Sequence, residues 1–249
     1  MSEIDDLRTR VAQACRVLGS LGLAKGATGH ASARLPGTDR VFIRARGPGE
    51  LGVRFTTMEQ VVEVGLDGKL VRPNAQGLEA PLEVFIHTSI YKVRPDVYAV
   101  VHVHPLPVVL FTITNKPILP LYGAYDPASA KLAFKPIPTY PRSILCDTPE
   151  RGDELAAAMG QSNCCMMKGH GISTAGNNVE DAALTAIHLT NLADVNYQAR
   201  LLGDPEPIPK EEQEFFMRED LNPKAVNPGA APQGREAALW RYYVSLTDG

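Results

Sequence analysis

The run Ala99-Val100-Val101-His102-Val103-His104 sets the tightest limit on how this chain can fold. Its β-branched residues favour an extended strand, and residues two apart on a strand share a face. Two imidazoles therefore project together from one side of an otherwise apolar strand. Buried imidazole nitrogens need partners, and two of them on one face need a shared one. A divalent transition ion meets that need. His170, in Lys168-Gly169-His170-Gly171, brings a third imidazole from a turn whose glycines let the backbone approach a site closely. Three such ligands leave positions open for water or substrate, the layout of a catalytic rather than a structural centre. The pattern predicts one divalent ion per subunit on His102, His104 and His170. Zinc, manganese, cobalt and ferrous iron all suit that set. For the His-x-His pair taken alone, a strand with a merely polar second face is the competing reading.

Composition narrows the setting. The chain has 249 residues, 44% of them hydrophobic, enough for one large core. Its 25 basic and 28 acidic residues leave a net charge of -3, with no basic footprint for nucleic acid or an anionic membrane. No apolar segment approaches membrane-spanning length, and Met1-Ser2-Glu3-Ile4-Asp5-Asp6 does not read as a secretory leader, so a cytoplasmic location is expected. Cys15, Cys146, Cys164 and Cys165 show no C-x-x-C spacing and read as reduced, buried thiols. Cys164 and Cys165, with Met166 and Met167, stand just before His170 and admit a copper or redox reading. Core filling is the simpler one.

Periodicity outlines the elements. Leu7, Val11, Ala14, Cys15, Leu18 and Leu21 make a helical stripe closed by Gly19 and Gly22. A glycine-rich turn from Lys25 to Arg34 leads into strands at Arg40 to Arg44 and Val61 to Leu66, with a hairpin turn at Asp67-Gly68. Pro81 opens a helix over Leu82 to Val93, and Ala99 to His104 is the next strand. Short strands are expected at Val108 to Thr114 and Ala133 to Ile137, with a loop or short helix from Tyr122 to Lys131 between them. Thr148 starts a helix to Met159, Cys164 to Lys168 reads as a buried strand, and a long helix spans Val179 to Leu202. A proline-rich break over Gly203 to Pro209 and a linker from Leu221 to Gly234 precede a last helix carrying Trp240. Residues 1–203 are thus expected to form the metal-binding domain. Residues 204–249 are expected as a C-terminal extension, part of that domain or packed on a neighbouring subunit.

A metal does not select a reaction; a titratable group beside it does. Glu83 sits in the first turn of the helix that runs into the His-x-His strand, placed to act as acid/base or fourth ligand. It competes with the simpler role of complementing the helix dipole. Glu79 is a weaker rival. His87 shares a helical face with Glu83 and His188 lies among apolar helix residues; both read better as packed residues. His30, in the glycine-rich turn, is a candidate to face a ligand.

In this order, Gly29-His30-Ala31-Ser32-Ala33-Arg34, Glu83-Val84-Phe85-Ile86-His87, His102-Val103-His104 and Gly169-His170-Gly171 resemble the class II aldolase/adducin family. The resemblance spans roughly Leu7 to Leu202. It implies a three-layer α/β/α fold with a mixed, mostly antiparallel central sheet, and a homotetramer with active sites at subunit interfaces. It also implies His102, His104 and His170 as metal ligands, Glu83 as catalytic acid/base, and Tyr122 as a tyrosine reaching a neighbouring subunit's site.

Departures from the family pattern bear on substrate. The phosphate cradle of sugar-phosphate members is replaced here by Gly29-His30, Ile43-Arg44-Ala45-Arg46-Gly47 and Pro81-Leu82-Glu83. Few hydroxyl and amide donors remain, while Arg44 and Arg46 suit a carboxylate, with Ser32 beside them as a further contact. His30 in the place of an Asn resembles the branch containing decarboxylases of hydroxylated aromatic acids. The expectation is a metal-dependent decarboxylase of a hydroxylated aromatic or heteroaromatic carboxylate, with Glu83 or His30 transferring the proton. An aldolase or epimerase on a small hydroxy-carbonyl compound is the alternative. A non-catalytic adducin-like scaffold and an iron-dependent oxygenase are more distant readings.

Overall fold

A computed structural model of the protein describes residues 2–218 and 229–247. Helix α1 (Glu3–Ser20) begins at a reciprocal cap: Ser2 accepts from the Asp5 N–H while the Asp5 carboxylate accepts from the Ser2 N–H. Its buried residues include Leu7, Val11, Ala14, Cys15 and Leu18, the stripe expected from spacing. The segment anticipated as a turn through Arg34 becomes strand β1 (His30–Arg34), buried at all five positions. Strands β2 (Val41–Arg44) and β3 (Val61–Val64) follow, and helix α2 (Val84–Val93) leads into β4 (Ala99–Val103).

The strand expected over Val108 to Thr114 is instead helix α3 (Leu106–Thr114), entered from Pro105 and ended by Asn115 in the left-handed conformation at φ 53°. The segment is apolar all round, so its period is hard to read, but it buries only Val108, Phe111 and Thr112, a single helical face. Helix α4 (Pro127–Lys131) falls inside the stretch expected as a loop or short helix. No strand forms over 133–137; the pairing residues are β5 (Thr139–Tyr140), because Pro136 and Pro138 remove the ladder donors just before them. Helix α5 (Pro149–Met159), capped by Thr148, and strand β6 (Cys164–Met167) lie where expected. Strand β7 (Gly171–Gly176) was not anticipated, since Gly-Ile-Ser-Thr-Ala-Gly carries little β signal and is held as a strand by the neighbours on both sides. After the long α6 (Val179–Leu202) comes an unanticipated short helix, α7 (Lys210–Phe216), and then α8 (Gly234–Ser245) with Trp240 buried. Of the predicted linker, 221–228 lie outside the described residues.

The strands form one seven-stranded sheet in the order β3-β2-β1-β4-β7-β6-β5, antiparallel throughout except for the parallel β5–β6 pair. Alternation along the strands makes two cores. Ala99, Val101 and Val103 pack with α1, α3, α6 and Trp240 on one face, while Val100, Ile43 and Ala175 pack with α2 and α5 on the other. This is the three-layer α/β/α architecture. His102 faces the α2/α5 side, and the register sets it opposite His30 on β1 and Ser173 on β7. No helix among the described residues is long and apolar enough to cross a membrane.

Candidate metal centre

His102 on β4 and His104, one residue past its end, converge on one point, and the β6–β7 turn brings His170 to it. Two glycines make the turn possible. Gly169 adopts φ +61°, and a Cβ on Gly171 would lie 2.3 Å from the Val103 carbonyl oxygen. His104 Nε2 is 2.9 Å from His102 Nε2, and the imidazoles of His104 and His170 stack with centroids 5.0 Å apart.

Glu83 completes the group. It occupies the N-cap of α2, one position before the turn expected for it, yet makes no capping bond with its side chain. Oε1 instead accepts from the Cys146 backbone N–H at 2.9 Å, and Oε2 lies 3.5 Å from His102 Nε2 and 3.4 Å from His170 Nε2. A role limited to the helix dipole does not account for this geometry. Burial works against the charge of Glu83, but the two imidazoles outweigh it and hold the carboxyl well below the usual carboxylate range.

Glu83, His102, His104 and His170 offer ligand atoms all within 4.8 Å of one another. With metal–nitrogen bonds of about 2.0–2.1 Å, adjacent ligands stand about 2.8–3.4 Å apart, and the His102–His104, Glu83–His170 and Glu83–His102 separations of 2.9, 3.4 and 3.5 Å are close to that. Two neutral imidazole nitrogens facing each other at 2.9 Å also need a cation or a shared proton between them. His102 Nδ1 donates to the Ile172 carbonyl at 3.0 Å, which turns the Nε2 lone pair inward as metal-binding histidines require. Burial lowers His102 and takes His104 down to about 3, so both stay neutral and available as ligands. The donor set fits a divalent transition ion.

His30 lies beside this group, its ring centroid 5.3 Å from that of His102. It is the first residue of β1 rather than part of a turn. Burial, then the neighbouring His87 and His102, pushes it well below the usual imidazole range. His87 is fully buried, as a packed histidine should be, but it bonds to His30 at 2.7 Å and to Ser32 at 2.7 Å. Ser32 in turn meets the Tyr91 hydroxyl at 2.8 Å. Ser32 is wholly buried with its hydroxyl engaged by His87 and Tyr91, so the structure does not present it to a substrate as the sequence reading expected. The site roles of Tyr91 and of the Cys146 backbone N–H escape a sequence reading. The available signal was the polar series Glu83, His87, Tyr91 at four-residue spacing on a buried helix.

The expected carboxylate-binding arginines divide. Arg44 projects to the α1 side of the sheet, where it donates to Thr56 Oγ1 and the Ala27 and Gly29 carbonyls and pairs with Glu50 at 3.4 Å. Alternation puts it on the face opposite His30 and His102, so its substrate-binding role is corrected; it holds the loop that precedes His30. Arg46 is half-exposed, paired with Glu79 and donating to the Ala80 carbonyl on the approach to Glu83. Tyr122 packs against the core of the α1/α6 face with Tyr125 and Ser129, away from its own chain's centre, and burial raises its hydroxyl to about 12. His188 bonds to Ser129 at 3.1 Å and pairs with Asp126, tying α6 to α4. All four cysteines are free and buried.

The family described as Class II Aldolase and Adducin N-terminal domain matches residues 9–197. The chain is similar to a 3,4-dihydroxyphthalate decarboxylase of Terrabacter sp. (strain DBF63), 36% identical over 239 residues that cover 96% of this chain and 95% of that protein. A 3,4-dihydroxyphthalate decarboxylase of Arthrobacter keyseri is 38% identical over 201 residues, 79% of each. Among solved structures, an aldolase II superfamily protein from Pseudomonas syringae shares the fold with a TM-score of 0.81 at 21% identity, over 100% of this chain and 94% of that one.

Proposed function

The chain belongs to the class II aldolase and adducin family, and on that premise we propose that it is a metal-dependent decarboxylase of a hydroxylated aromatic carboxylate of the dihydroxyphthalate type. Similarity along nearly the whole chain to the Terrabacter decarboxylase carries the substrate class. The site chemistry supports it. His102, His104 and His170 hold the ion, with Glu83 as acid/base or fourth ligand. When bound, the ion supplies stabilisation of the negative charge that develops as carbon dioxide leaves.

The chain's own residues do the rest. Glu83, anchored by the Cys146 N–H, takes the proton of the substrate hydroxyl and delivers it to the ring carbon. The bond from that carbon to the carboxyl group breaks, its electron pair returns to the ring, carbon dioxide departs, a carbon–hydrogen bond takes its place, and the hydroxyl oxygen regains a proton from water. His30, opposite His102 in the β1–β4 register, is the other polar group this reading offers to the substrate. Arg46, on the approach to Glu83, is offered to a spectator carboxylate. We further propose a cytoplasmic homotetramer serving aromatic-compound breakdown, in which Tyr122 is presented to a neighbouring copy's site.

The test is direct. Apoprotein loaded in turn with zinc, manganese, cobalt or ferrous iron is given 3,4-dihydroxyphthalate, and carbon dioxide and a dihydroxybenzoate are measured. Release of both, with no cleavage of sugar phosphates, is the expected result. Retro-aldol cleavage alone would overturn the proposal in favour of an aldolase, oxygen uptake in favour of an oxygenase, and absence of bound metal in favour of a scaffold.

A further inference from the structure

Four side chains next to the metal centre form one buried line. His30 and Ser32, two apart on β1, meet His87 and Tyr91, four apart on α2. Their contacts run Tyr91 Oη to Ser32 Oγ at 2.8 Å, Ser32 Oγ to His87 Nδ1 at 2.7 Å, and His87 Nε2 to His30 Nδ1 at 2.7 Å. Ser32, His87 and Tyr91 are at most 1% exposed and His30 only 6%.

The protons in this line have little choice. Burial takes His87 down to about 3, so it is neutral, with one N–H and one lone pair, and both are used within the line. The bonds on its two sides must then run in the same direction. If they ran from His30 toward Tyr91, either the Tyr91 or the Ser32 hydroxyl hydrogen would be left without an acceptor among the described residues. Such a buried orphan is disfavoured. Running from Tyr91, every donor is satisfied: Tyr91 O–H to Ser32, Ser32 O–H to His87 Nδ1, and His87 Nε2–H to His30 Nδ1. Burial raises the Tyr91 hydroxyl well above its ordinary range, which keeps this first donor protonated.

We propose that Tyr91, Ser32 and His87 are positioning residues that lock His30 in its Nε2–H form, making His30 a neutral hydrogen-bond donor to an anionic substrate oxygen. Its Nδ1 is already occupied, so His30 is neither a base nor the carrier of the proton, and that transfer stays with Glu83. The identity of the oxygen, a carboxylate or phenolate of a hydroxy-aromatic acid, rests on the decarboxylase reading; the tautomer does not. A locked donor also disfavours substrates that offer only a hydrogen-bond donor at this position.

Long-range proton–nitrogen NMR of the zinc-loaded protein with 15N-labelled histidine distinguishes the two imidazole tautomers. Both His30 and His87 are expected as Nε2–H forms. Tyr91→Phe removes the first donor and should convert His30 to a mixture of tautomers. The same variant should raise the KM for 3,4-dihydroxyphthalate, or the dissociation constant of a dihydroxybenzoate, by about 10- to 100-fold with zinc stoichiometry unchanged. A wild-type His30 in the Nδ1–H form overturns the proposal even if the variant fails to fold. So does a Tyr91→Phe protein whose spectrum and binding match wild type. Correct tautomers in a protein that does not decarboxylate would overturn the decarboxylase reading and leave the lock standing.

Discussion

Replacing Gly171 by alanine tests whether the close approach of β4 and β7 builds the metal centre. The added Cβ would stand 2.3 Å from the Val103 oxygen, 2.8 Å from His104 Cδ2 and 3.2 Å from His104 Cα. Two of these three atoms belong to the backbone, so no side-chain rotation relieves the overlap. The strands must part by about 0.7 Å to restore even a tight contact. His104 cannot follow freely, because its N–H is bonded to the Leu23 carbonyl at 3.0 Å. Overpacking of this kind costs about 1–3 kcal/mol. At about 2–4 °C per kcal/mol for a chain of this size, a 2 kcal/mol loss lowers Tm by about 4–8 °C. The same displacement separates His104 from His102 and His170, and a shift of this size in the support of ligands weakens metal affinity by about 10- to 100-fold. Thermal melts of the apoprotein, with cobalt titration against a chromophoric chelator, measure both. Cobalt affinity within about twofold of wild type would refute the reasoning, because the centre would then not depend on this approach.

Three other outcomes are expected. Glu83→Gln keeps an acceptor for the Cys146 N–H but loses the proton carrier, so decarboxylation should fall about 10²- to 10⁴-fold in a protein that still folds; a variant as active as wild type would remove Glu83 from the chemistry. The buried guanidinium of Arg34 donates to the carbonyls of Tyr91, Arg94, Pro95 and Val97 and so closes the C-terminal end of α2 against β1. Arg34→Met leaves those carbonyls without their donor and should lose about 3 kcal/mol or more in urea unfolding. His87 is held at about 3 against 6.5 for a free imidazole, so the unfolded chain takes up its proton first. The stability it contributes is present above pH 6.5 and is lost as pH falls toward 3, with a limiting slope of about 1.4 kcal/mol per pH unit. His87→Gln should flatten the acid limb of the apoprotein's stability curve by one proton; an unchanged slope would show that His87 is not neutral in the fold.

The amino-acid pattern by itself determined the elements with a clear period and the pairing of ligands two residues apart. Strand alternation is a local geometric fact, so His102 and His104 could be placed on one face, and α1, α5, α6 and α8 could be drawn, without any neighbour. Where the local signal was uniform or weak, neighbours decided. The all-apolar stretch of α3 has no readable period, and Gly171–Gly176 is a strand only because β4 and β6 pair with it. Tertiary structure also decided which face each polar residue met. Arg44 and His30 are equally polar in sequence, yet alternation across the β1–β2 pair puts one toward α1 and the other toward the metal centre. Ser32 changed from a substrate contact to a buried link, and His87 from a packed residue to the centre of a hydrogen-bonded line. The physical reason is that periodicity reports which residues share a face, whereas a site depends on which faces meet, and only the packing of α2 and the β6–β7 turn against β4 settles that.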